Sequence, residues 1–499
     1  MIVYQSDKRT FLDHVASGSI YNIILDGVKV GLGMGVGPSE QDSWKSSARY
    51  MYDVLRDGEI PGDSSVAIEY QIPMTSKRID FILAGQGEYN RDNAIVIELK
   101  QWQKVSLSEM DGIVEADFYN GREVSHPSYQ AWAYVTLLKG FNEAVYEGNI
   151  NLQPCAYLHN YFPDTVIRHD FYKEYIEKAP IFLQGDEEKE KLQDFIKSFI
   201  KHGDKNKIIY KIENGKIKPS KALTDSLSKM LRGNEEFVMI DEQKVVYETA
   251  MKIAKQSTAN NKNVFIIAGG PGTGKSVVAI NLLVQLNKLG LFSQYVTKNA
   301  APRDVYESVL TGSFRKSEIS NLFTGSGSFI NADKNRFDVL IVDEAHRLNE
   351  KSGMMKNLGE NQIKEIIEAS KCSIFFIDEN QKVTWHDIGE SETIKSWATK
   401  LGATVHQAEL SSQFRCSGSD GYIAWLDRIL QIRDTANINF DNFNYDFKVF
   451  DDPNKLRDEI FEKNKEKNKA RLVAGYCWDW LTKNNKSNFD IRIPERSEE

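Results

Sequence analysis

The 499-residue chain is poor in cysteine, and its four cysteines lie far apart along the sequence. Cys155, Cys372, Cys416 and Cys477 form no CxxC pair, which argues against a zinc ribbon or a locally encoded iron–sulfur cluster and suits a reducing compartment. The chain also lacks an apolar run of about 18 residues, and its first residues, MIVYQSDKRTFLDH, contain no apolar signal core. These absences predict a soluble, cytoplasmic protein that does not cross a membrane.

An excess of positive charge is also missing, because the formal net charge is -8 at pH 7. The whole molecule is therefore not a polycation, and any surface for nucleic acid must be local. Residues 201–232 carry nine Lys and Arg against three Asp and Glu. A nucleic-acid contact and a solvated linker explain this segment equally well. The length of the chain predicts more than one domain.

The most informative stretch runs from Val264 to Leu282, VFIIAGGPGTGKSVVAINL. A β-branched apolar run predicts a buried parallel strand, and helical spacing resumes after a glycine-rich loop. Strand, loop and helix in this order are the context of a phosphate-binding P-loop, in which backbone N–H groups and the helix N-terminus face phosphate oxygens. Lys275 is expected to reach the β- and γ-phosphates, and the Ser276 hydroxyl to bind Mg²⁺. The predicted loop comprises Gly269, Gly270, Pro271, Gly272, Thr273, Gly274, Lys275 and Ser276.

A second apolar strand ends in paired acids in RFDVLIVDEAHRL, residues 336–348. This pattern predicts a Walker B site, in which Asp343 holds the Mg²⁺ shell and Glu344 positions the attacking water. Together with the P-loop it indicates a nucleoside triphosphatase. His346 has two possible roles. It can couple hydrolysis to nucleic-acid contacts, or it can be a histidine at the start of a helix without a functional role.

The N-terminal part contains three predicted strands, at residues 66–73, 78–85 and 94–102. Glu98 and Lys100 are two residues apart on the third strand, so their side chains leave the same face. Asp80 on the neighbouring strand can join them. Two carboxylates and a lysine at this place can hold a divalent cation and orient a hydrolytic water. The lysine can either stabilise developing phosphoryl charge or help to position the nucleophile.

This D-x(n)-E-x-K arrangement, following a predicted helix at residues 40–55, resembles the PD-(D/E)xK nuclease superfamily. The resemblance implies a restriction-endonuclease-like fold, a requirement for Mg²⁺ or Mn²⁺, and Glu40 as the first acidic ligand. Gln130 and Tyr134 in HPSYQAWAYVTLL lie four apart on a helix face. Their spacing resembles the QxxxY motif of the RecB-type branch, whose residues help to hold the metal site and DNA.

Other segments resemble superfamily 1 helicases. Gln243 in FVMIDEQKVV resembles the glutamine that hydrogen-bonds adenine and favours ATP, although a surface glutamine is the alternative. Asp378 and Gln381 in SIFFIDENQ match the D-x-x-Q core of motif III, which lies near the γ-phosphate and links it to the bound strand. Arg415 in SSQFRCSGSDG resembles the arginine of motif IV that reaches the γ-phosphate.

As a set, and together with TKNAAPR, these segments resemble the Schlafen group-3-like DNA/RNA helicase family over roughly residues 235–480. The expected organisation is an α/β protein with a nuclease domain at 1–200, a basic linker at 201–234 and a RecA-like ATPase lobe at 235–400. Residues 401–499 are expected to form part of a second RecA-like lobe, because no segment resembling motif V or VI follows YCWDW. Bacterial relatives with an N-terminal nuclease are often anti-phage candidates, which the resemblance implies for this chain.

The sequence therefore predicts an ATP-dependent enzyme that couples a helicase-type ATPase to metal-dependent cleavage of nucleic acid, with DNA favoured as the substrate. Two alternatives stay open: an ATP-gated nucleic-acid-binding switch with an inactive nuclease, and a nuclease directed at RNA, including tRNA.

Overall fold

A computed structural model of the chain describes residues 2–32, 38–72, 77–116, 121–215, 238–311, 319, 321–352, 358–382, 384, 386–410, 420–432, 447–467, 470–473, 491–493 and 496–498. Within these ranges it does not describe the side chains of residues 29–32, 38–43, 141, 309, 420–424, 466–467, 491–493 and 496–498. Contacts divide the chain into two units, Met1–Asn437 and Ile438–Glu499. No helix in the described ranges combines the length and the apolar character needed to cross a bilayer.

The N-terminal half of the first unit is built around a mixed sheet. Its elements are β1 (Ile2–Asp7), α1 (Lys8–Ala16), α2 (Ile20–Leu32), α3 (Pro38–Leu55), β2 (Ser65–Gln71), β3 (Arg78–Gln86), β4 (Asp92–Lys100), β5 (Val105–Leu107), β6 (Ile113–Ala116), β7 (Arg122–Ser125), α4 (Pro127–Phe141), α5 (Glu143–Tyr146), β8 (Asn151–Leu158), α6 (Lys173–Lys178), β9 (Ile181–Phe182), α7 (Asp186–Phe199) and α8 (Ile208–Asn214). The strands are ordered β1-β2-β3-β4-β8-β9. The first four are antiparallel, and β8 and β9 add in parallel. The strands β5, β6 and β7 form a separate antiparallel sheet.

Both faces of the mixed sheet are covered, and this explains the unbroken apolar run of β4. Ile95 and Ile97 pack into the core formed with α1, α2, α3 and α7, whereas Ala94 and Val96 pack into the core formed with α4 and α8. Alternate residues of a strand point to opposite faces, so both sets have to be apolar. Continuing the alternation puts Glu98 and Lys100 on the face that α4 covers.

The sheet is distorted beside that position. Glu69 in β2 has a φ of 55°, in the left-handed region that non-glycine residues rarely adopt. On either side of it, Ile68 and Tyr70 pack into different cores although they are two residues apart. Ile68 pairs with Phe81 and Tyr70 with Ile79, which puts Glu69 level with Asp80. The pair of Phe81 with Ile97 puts Asp80 level with Glu98. The strained residue therefore lies in the same row of the sheet as the predicted acidic residues.

The second half of this unit is built around a parallel sheet. Its elements are α9 (Asp241–Gln256), β10 (Asn263–Gly269), α10 (Lys275–Lys288), β11 (Ser293–Thr297), α11 (Ala300–Leu310), β12 (Phe323–Gly325), β13 (Phe337–Asp343), α12 (Gln362–Ala369), β14 (Ser370–Ile377), α13 (Ser391–Lys400), β15 (Thr404–Leu410) and α14 (Asp420–Ile429). The strand order is β12-β11-β13-β14-β10-β15, and all neighbouring strands are parallel. Residues 265 and 267 of β10 pack on one face, and residues 264 and 266 on the other. The loops after β10, β13 and β14 consequently share one edge of the sheet.

Two predicted boundaries differ from the positions of these elements. The sheet continues through β15, which pairs with β10, so its last strand lies beyond the predicted boundary at residue 400. At the other end, Ile208, Ile209 and Ile212 of α8 pack into the core beneath α4, so this part of the predicted linker packs with the N-terminal half. Residues 216–234 of that linker lie outside the described residues.

The described elements of the second unit are α15 (Pro453–Lys467) and an antiparallel pair, β16 (Ile491–Ile493) and β17 (Arg496–Glu498). The assignment of residues 401–499 to a partial second RecA-like lobe stays a prediction.

Candidate functional site

The glycine-rich loop connects β10 to α10. Gly272 and Gly274 have φ values of 80° and 85°, which side chains with a Cβ rarely adopt, and this explains the glycines at these positions. The Thr273 hydroxyl donates to the carbonyl of Gly270 at 3.0 Å and so closes the turn. The loop leaves the first N–H groups of α10 facing the edge of the sheet, an arrangement that suits an anion.

The side chains of Lys275 and Ser276 lie at this edge. The Lys275 Nζ donates to the carbonyl oxygens of Gly269 and Gly270 at 2.7 and 2.8 Å, and lies 3.8 Å from Asp378 Oδ2. The Ser276 hydroxyl donates to Asp343 Oδ2 at 2.7 Å. Asp343 Oδ2 also accepts a hydrogen bond from the Tyr295 hydroxyl. A hydroxyl and a carboxylate at the mouth of a phosphate loop are oxygen ligands of the kind that Mg²⁺ prefers.

Glu344 and His346 follow the Walker B strand, β13. Glu344 has a φ of 53° and starts the short 3₁₀ turn Ala345–Arg347. The His346 Nε2 lies 3.1 Å from Glu344 Oε2, and the His346 Nδ1 accepts the backbone N–H of Asp378 at 3.2 Å. Since Nδ1 accepts, Nε2 carries the proton and donates to Glu344. His346 therefore joins the Walker B segment to the end of β14.

Burial and hydrogen bonding adjust the charges around the loop. Burial raises the pKa of Asp343 above its ordinary value, against the hydrogen bonds from Tyr295 and Ser276. Burial also raises the pKa of Asp378, and its buried Oδ2 has no hydrogen-bond partner. The hydrogen bond from His346 lowers the pKa of Glu344, which keeps this partly exposed carboxylate ionised. Gln381 lies in the 3₁₀ turn Glu379–Gln381, and its backbone N–H donates to the carbonyl of Asp378.

Gln243 lies in the first turn of α9 and is 6% exposed. Its Nε2 donates to the carbonyl of Thr273 at 3.0 Å, and its Oε1 accepts the backbone N–H of Ile240 at 3.4 Å. The surface-glutamine alternative is therefore wrong. The amide instead contacts the phosphate loop directly.

The acidic residues and the lysine of the N-terminal half lie side by side at the end of β4. The Lys100 Nζ donates to Glu98 Oε1 at 2.6 Å, and Asp80 Oδ2 accepts the backbone N–H of Leu99 at 2.7 Å. Glu98 is 2% exposed, and its second oxygen, Oε2, is buried without a hydrogen-bond partner. An unpaired buried carboxylate oxygen costs free energy unless it binds a donor or a cation, so these residues fit a divalent cation.

The electrostatics of this group are unusual. Burial raises the pKa of Glu98 to about 8, and the nearby negative charge of Asp80 adds to the effect against the attraction of Lys100. Burial raises the pKa of Asp80 as well, again against Lys100. For Lys100, burial disfavours the charged form, but Glu98 and Asp80 outweigh it and raise the pKa. Strongly shifted acids that face a buried lysine are typical of functional sites.

Two residues of α4 and one residue of α9 complete this group. The Gln130 Nε2 donates to the Tyr134 hydroxyl at 2.9 Å, and that hydroxyl donates to Asp241 Oδ2 at 2.7 Å. The negative charge of Asp241 also helps to raise the pKa of Glu98, so Asp241 interacts electrostatically with the carboxylate of β4. We refer to Asp80, Glu98 and Lys100 as the acidic centre.

Two predicted site residues cannot be placed in this way. Glu40 lies in α3, but its side chain is outside the described residues, and so is Arg415 altogether. Among the described residues, no group of three or more His, Cys, Asp or Glu side chains is arranged to hold a metal ion.

Sequence reasoning missed three polar residues of these sites. Glu69 accepts from the Trp44 indole at 2.9 Å, pairs with Arg78 at 3.0 Å and lines a cleft next to Asp80. Its signal was an acid in the middle of an apolar strand. Tyr295 and Asp241 gave no local signal, because each acts through a residue that is distant in the sequence.

The parallel sheet, the phosphate loop and the paired acids define a P-loop NTPase-like α/β domain. A model of the family described as Schlafen group 3, DNA/RNA helicase domain, matches residues 262–497, just under half of the chain. This part is therefore similar to a helicase-type domain, as its motifs predict. The N-terminal half lies outside the match.

An uncharacterized protein of Saccharomyces cerevisiae is 24% identical over an alignment of 273 positions that covers 47% of this chain and 60% of the relative. The chain thus spans less than two thirds of the length of this curated relative. Among solved structures, domain III of the Thermotoga maritima replication initiation protein DnaA is 18% identical over 47% of this chain and 90% of its own, with a TM-score of 0.22. The replication initiator DnaA bound to AMPPCP and single-stranded DNA is 13% identical over 46% of this chain and 63% of its own, with a TM-score of 0.20. Scores this low do not establish a shared fold.

Proposed function

We propose that this chain is an ATP-dependent enzyme that processes nucleic acid, in which a helicase-type ATPase acts together with metal-dependent cleavage of DNA phosphodiester bonds. The ATPase part of the proposal is supported by the hydrogen bond between Ser276 and Asp343 beneath the phosphate loop. These two oxygens are the expected protein ligands of the Mg²⁺ that accompanies ATP. In the proposed cycle the Lys275 ammonium exchanges its bonds to the loop carbonyls for bonds to phosphate oxygens, and the Glu344 carboxylate, which His346 contacts, orients a water.

The cleavage part of the proposal rests on one observation. The Glu98 carboxylate is almost fully buried, has one unpartnered oxygen and lies between Asp80 and Lys100. Bound Mg²⁺ or Mn²⁺ would polarise a phosphoryl oxygen and lower the pKa of a bound water at this place. Magnesium usually takes only one or two protein carboxylates and completes its shell with water and substrate phosphate, so Asp80 and Glu98 suffice. Lys100 then neutralises charge that develops on the phosphoryl group.

The test uses the purified full-length chain with labelled single-stranded DNA and RNA side by side, with Mg²⁺ or Mn²⁺, in the presence and absence of ATP. Lys275→Ala is expected to reduce ATP hydrolysis by about 100-fold or more, because it removes the main cation facing the phosphates. Lys288→Ala, at the exposed end of the same helix, is the matched control. Wild-type turnover in the Lys275 variant would refute the P-loop assignment.

For the cleavage half, Asp80→Ala and Lys100→Ala are expected to remove cleavage while ATP hydrolysis persists. Lys104→Ala, an exposed lysine just after β4, controls for the loss of a positive charge. A Lys100 variant that still cuts DNA would move the reaction to another place. Preferential cleavage of the RNA strand would change the proposed substrate without changing the centre.

One observation favours a second function. Within the described residues no set of three or more potential metal ligands is grouped, which also fits an ATP-gated nucleic-acid-binding switch whose N-terminal half is inert. Such a switch would bind and release the labelled strand according to the nucleotide but leave it intact. The anti-phage role is part of the proposal as well, and a reduced plating efficiency of phage on cells that express the chain would support it.

A further inference from the structure

The start of α9 is held by both halves of the first unit at once. Met239 packs into the core of the parallel sheet, whereas its neighbour Ile240 packs into the core beneath α4. The Tyr129 hydroxyl of α4 donates to the carbonyl of Met239 at 2.6 Å. Five residues after Met239, Lys244 pairs with Asp111 of the N-terminal half at 2.9 Å. Residues 239–244, here called the seam segment, therefore cannot move relative to one half without disturbing the other.

Asp241 is the residue of the seam segment that faces the acidic centre. Its φ is 39°, in the left-handed region, where an aspartate is strained unless its surroundings hold it. Its carboxylate accepts the Tyr134 hydroxyl, and Lys77 Nζ lies 3.7 Å away. Because Tyr134 also accepts from Gln130, its hydroxyl stands between the α4 motif and an acid that belongs to the other half.

Gln243 is the residue of the seam segment that faces the phosphate loop. It lies two positions after Asp241, in the same helical turn. Its single amide group joins the backbone of Ile240 to the carbonyl of Thr273, which belongs to the loop that would close on phosphate. If Thr273 moves when a nucleotide binds, the hydrogen bond from Gln243 therefore transmits the movement to the helical turn that contains Asp241.

We propose that Asp241 is a positioning residue of the acidic centre, acting through Tyr134, and that Gln243 makes its position depend on the nucleotide in the phosphate loop. The identity of the centre as a cleavage site rests on the proposed function, whereas the link between the two sites rests on these contacts alone. Energetic coupling between two binding sites is reciprocal. Removing the contact at Tyr134 must therefore change the affinity of the phosphate loop for nucleotide, although Tyr134 belongs to the N-terminal half.

The test measures the dissociation constant of a fluorescent ADP analogue by titration into the full-length chain. Tyr134→Phe removes only the hydroxyl that reaches Asp241, and Asp241→Asn removes the charge from the other side. Both are expected to change the dissociation constant by about fivefold or more, the lower end of typical coupling between sites. The matched control is Tyr172→Phe, which removes another hydroxyl of the N-terminal half, one that donates to the Ile113 carbonyl at 2.8 Å and not to the seam segment.

A changed nucleotide affinity in Tyr134→Phe and Asp241→Asn, together with an unchanged affinity in Tyr172→Phe, would support the link. Wild-type affinity in Tyr134→Phe and Asp241→Asn would overturn it, and so would an equal change in Tyr172→Phe, since the effect would then follow from general destabilisation. Cleavage of labelled single-stranded DNA is measured on the same samples with and without ATP. A wild-type chain that never cleaves refutes the nuclease, while the affinities still decide the link. A chain that cleaves but shows no affinity change refutes the link alone.

Discussion

Replacing Glu98 by Gln is expected to stabilise the metal-free protein, and the gain is expected to grow as the pH rises. Burial holds the pKa of Glu98 at about 8, compared with 4.5 for a free glutamate. The folded state thus keeps a proton that the unfolded chain releases. Between these two pH values the folded state binds more protons, so the wild-type protein loses stability as the pH increases. Glutamine does not titrate, so the variant does not lose this stability as the pH rises.

The magnitude follows from proton linkage. Each pH unit in this window is worth up to about 1.4 kcal/mol for one proton, which sets an upper limit of about 5 kcal/mol for the whole window. Between about pH 5.5 and pH 7.5 the advantage of the variant should grow by up to about 2–3 kcal/mol. The loss of charge at this position does not cancel the gain, because the raised pKa of Glu98 already includes the attraction of Lys100 and the glutamine amide oxygen can still accept from the lysine.

Hydrogen exchange of the β4 amides, measured by mass spectrometry with a chelator present, gives the local free energy of opening for both proteins at each pH. Intrinsic exchange rates cancel because the variant and the wild type are compared at the same pH. Asp92→Asn, at the other end of β4, is the matched control. Hydrogen bonds from Asn206 and Lys211 outweigh burial and lower the pKa of Asp92, so its contribution to stability is lost only as the pH falls towards its own pKa.

Asp92→Asn should therefore destabilise β4 by the same amount at both pH values. An advantage of Glu98→Gln that stays constant or shrinks with rising pH would refute the reasoning. Adding Mn²⁺ at the higher pH provides an independent check, because a cation binds the ionised carboxylate. The wild type should then gain stability and the variant should not.

Two further predictions concern the ATPase site. Tyr295→Phe removes a hydroxyl that holds Asp343, and it should raise the Mg²⁺ concentration needed for half-maximal ATP hydrolysis by about tenfold, as outer-shell changes at metal sites typically do; an unchanged midpoint in a Mg²⁺ titration would contradict this. His346→Ala breaks the connection between Glu344 and the end of β14, and it should bring the ratio of ATPase rates with and without single-stranded DNA close to one. A ratio equal to that of the wild type would show that the coupling runs elsewhere.

The sequence was sufficient where function depends on local geometry. The P-loop could be predicted because strand, glycine turn and helix follow one another, and Gly274, which the eight-residue pattern requires, has a left-handed backbone that favours glycine. The grouping of Glu98 with Lys100 could be predicted because the two-residue period of a strand is a property of the chain itself. Their pairing at 2.6 Å agrees with that prediction.

Contacts between distant segments could not be predicted in the same way. The position of β14 between β10 and β13 is what brings Asp378 within 3.8 Å of Lys275, and no spacing along the chain encodes that order. Similarly, Asp241 meets Tyr134 only because two cores share the segment before α9. The boundary near residue 200 followed the composition of the Lys-rich segment, whereas the place of α8 depends on packing and that of β15 on strand pairing.

The way Ile240 packs also limits how the chain can be divided for experiments. A fragment that stops at residue 200 would lose Ile208, Ile209, Ile212 and Ile240, all of which are at most 2% exposed. Burial of an isoleucine side chain is worth roughly 1.5–3 kcal/mol, so the four together approach the whole net stability of an ordinary domain. Truncation there would leave an exposed apolar groove along α4, and the fragment should precipitate or bind chaperones. A fragment that extends through β15, and so includes the parallel sheet that covers the apolar face of α9, should remain in solution.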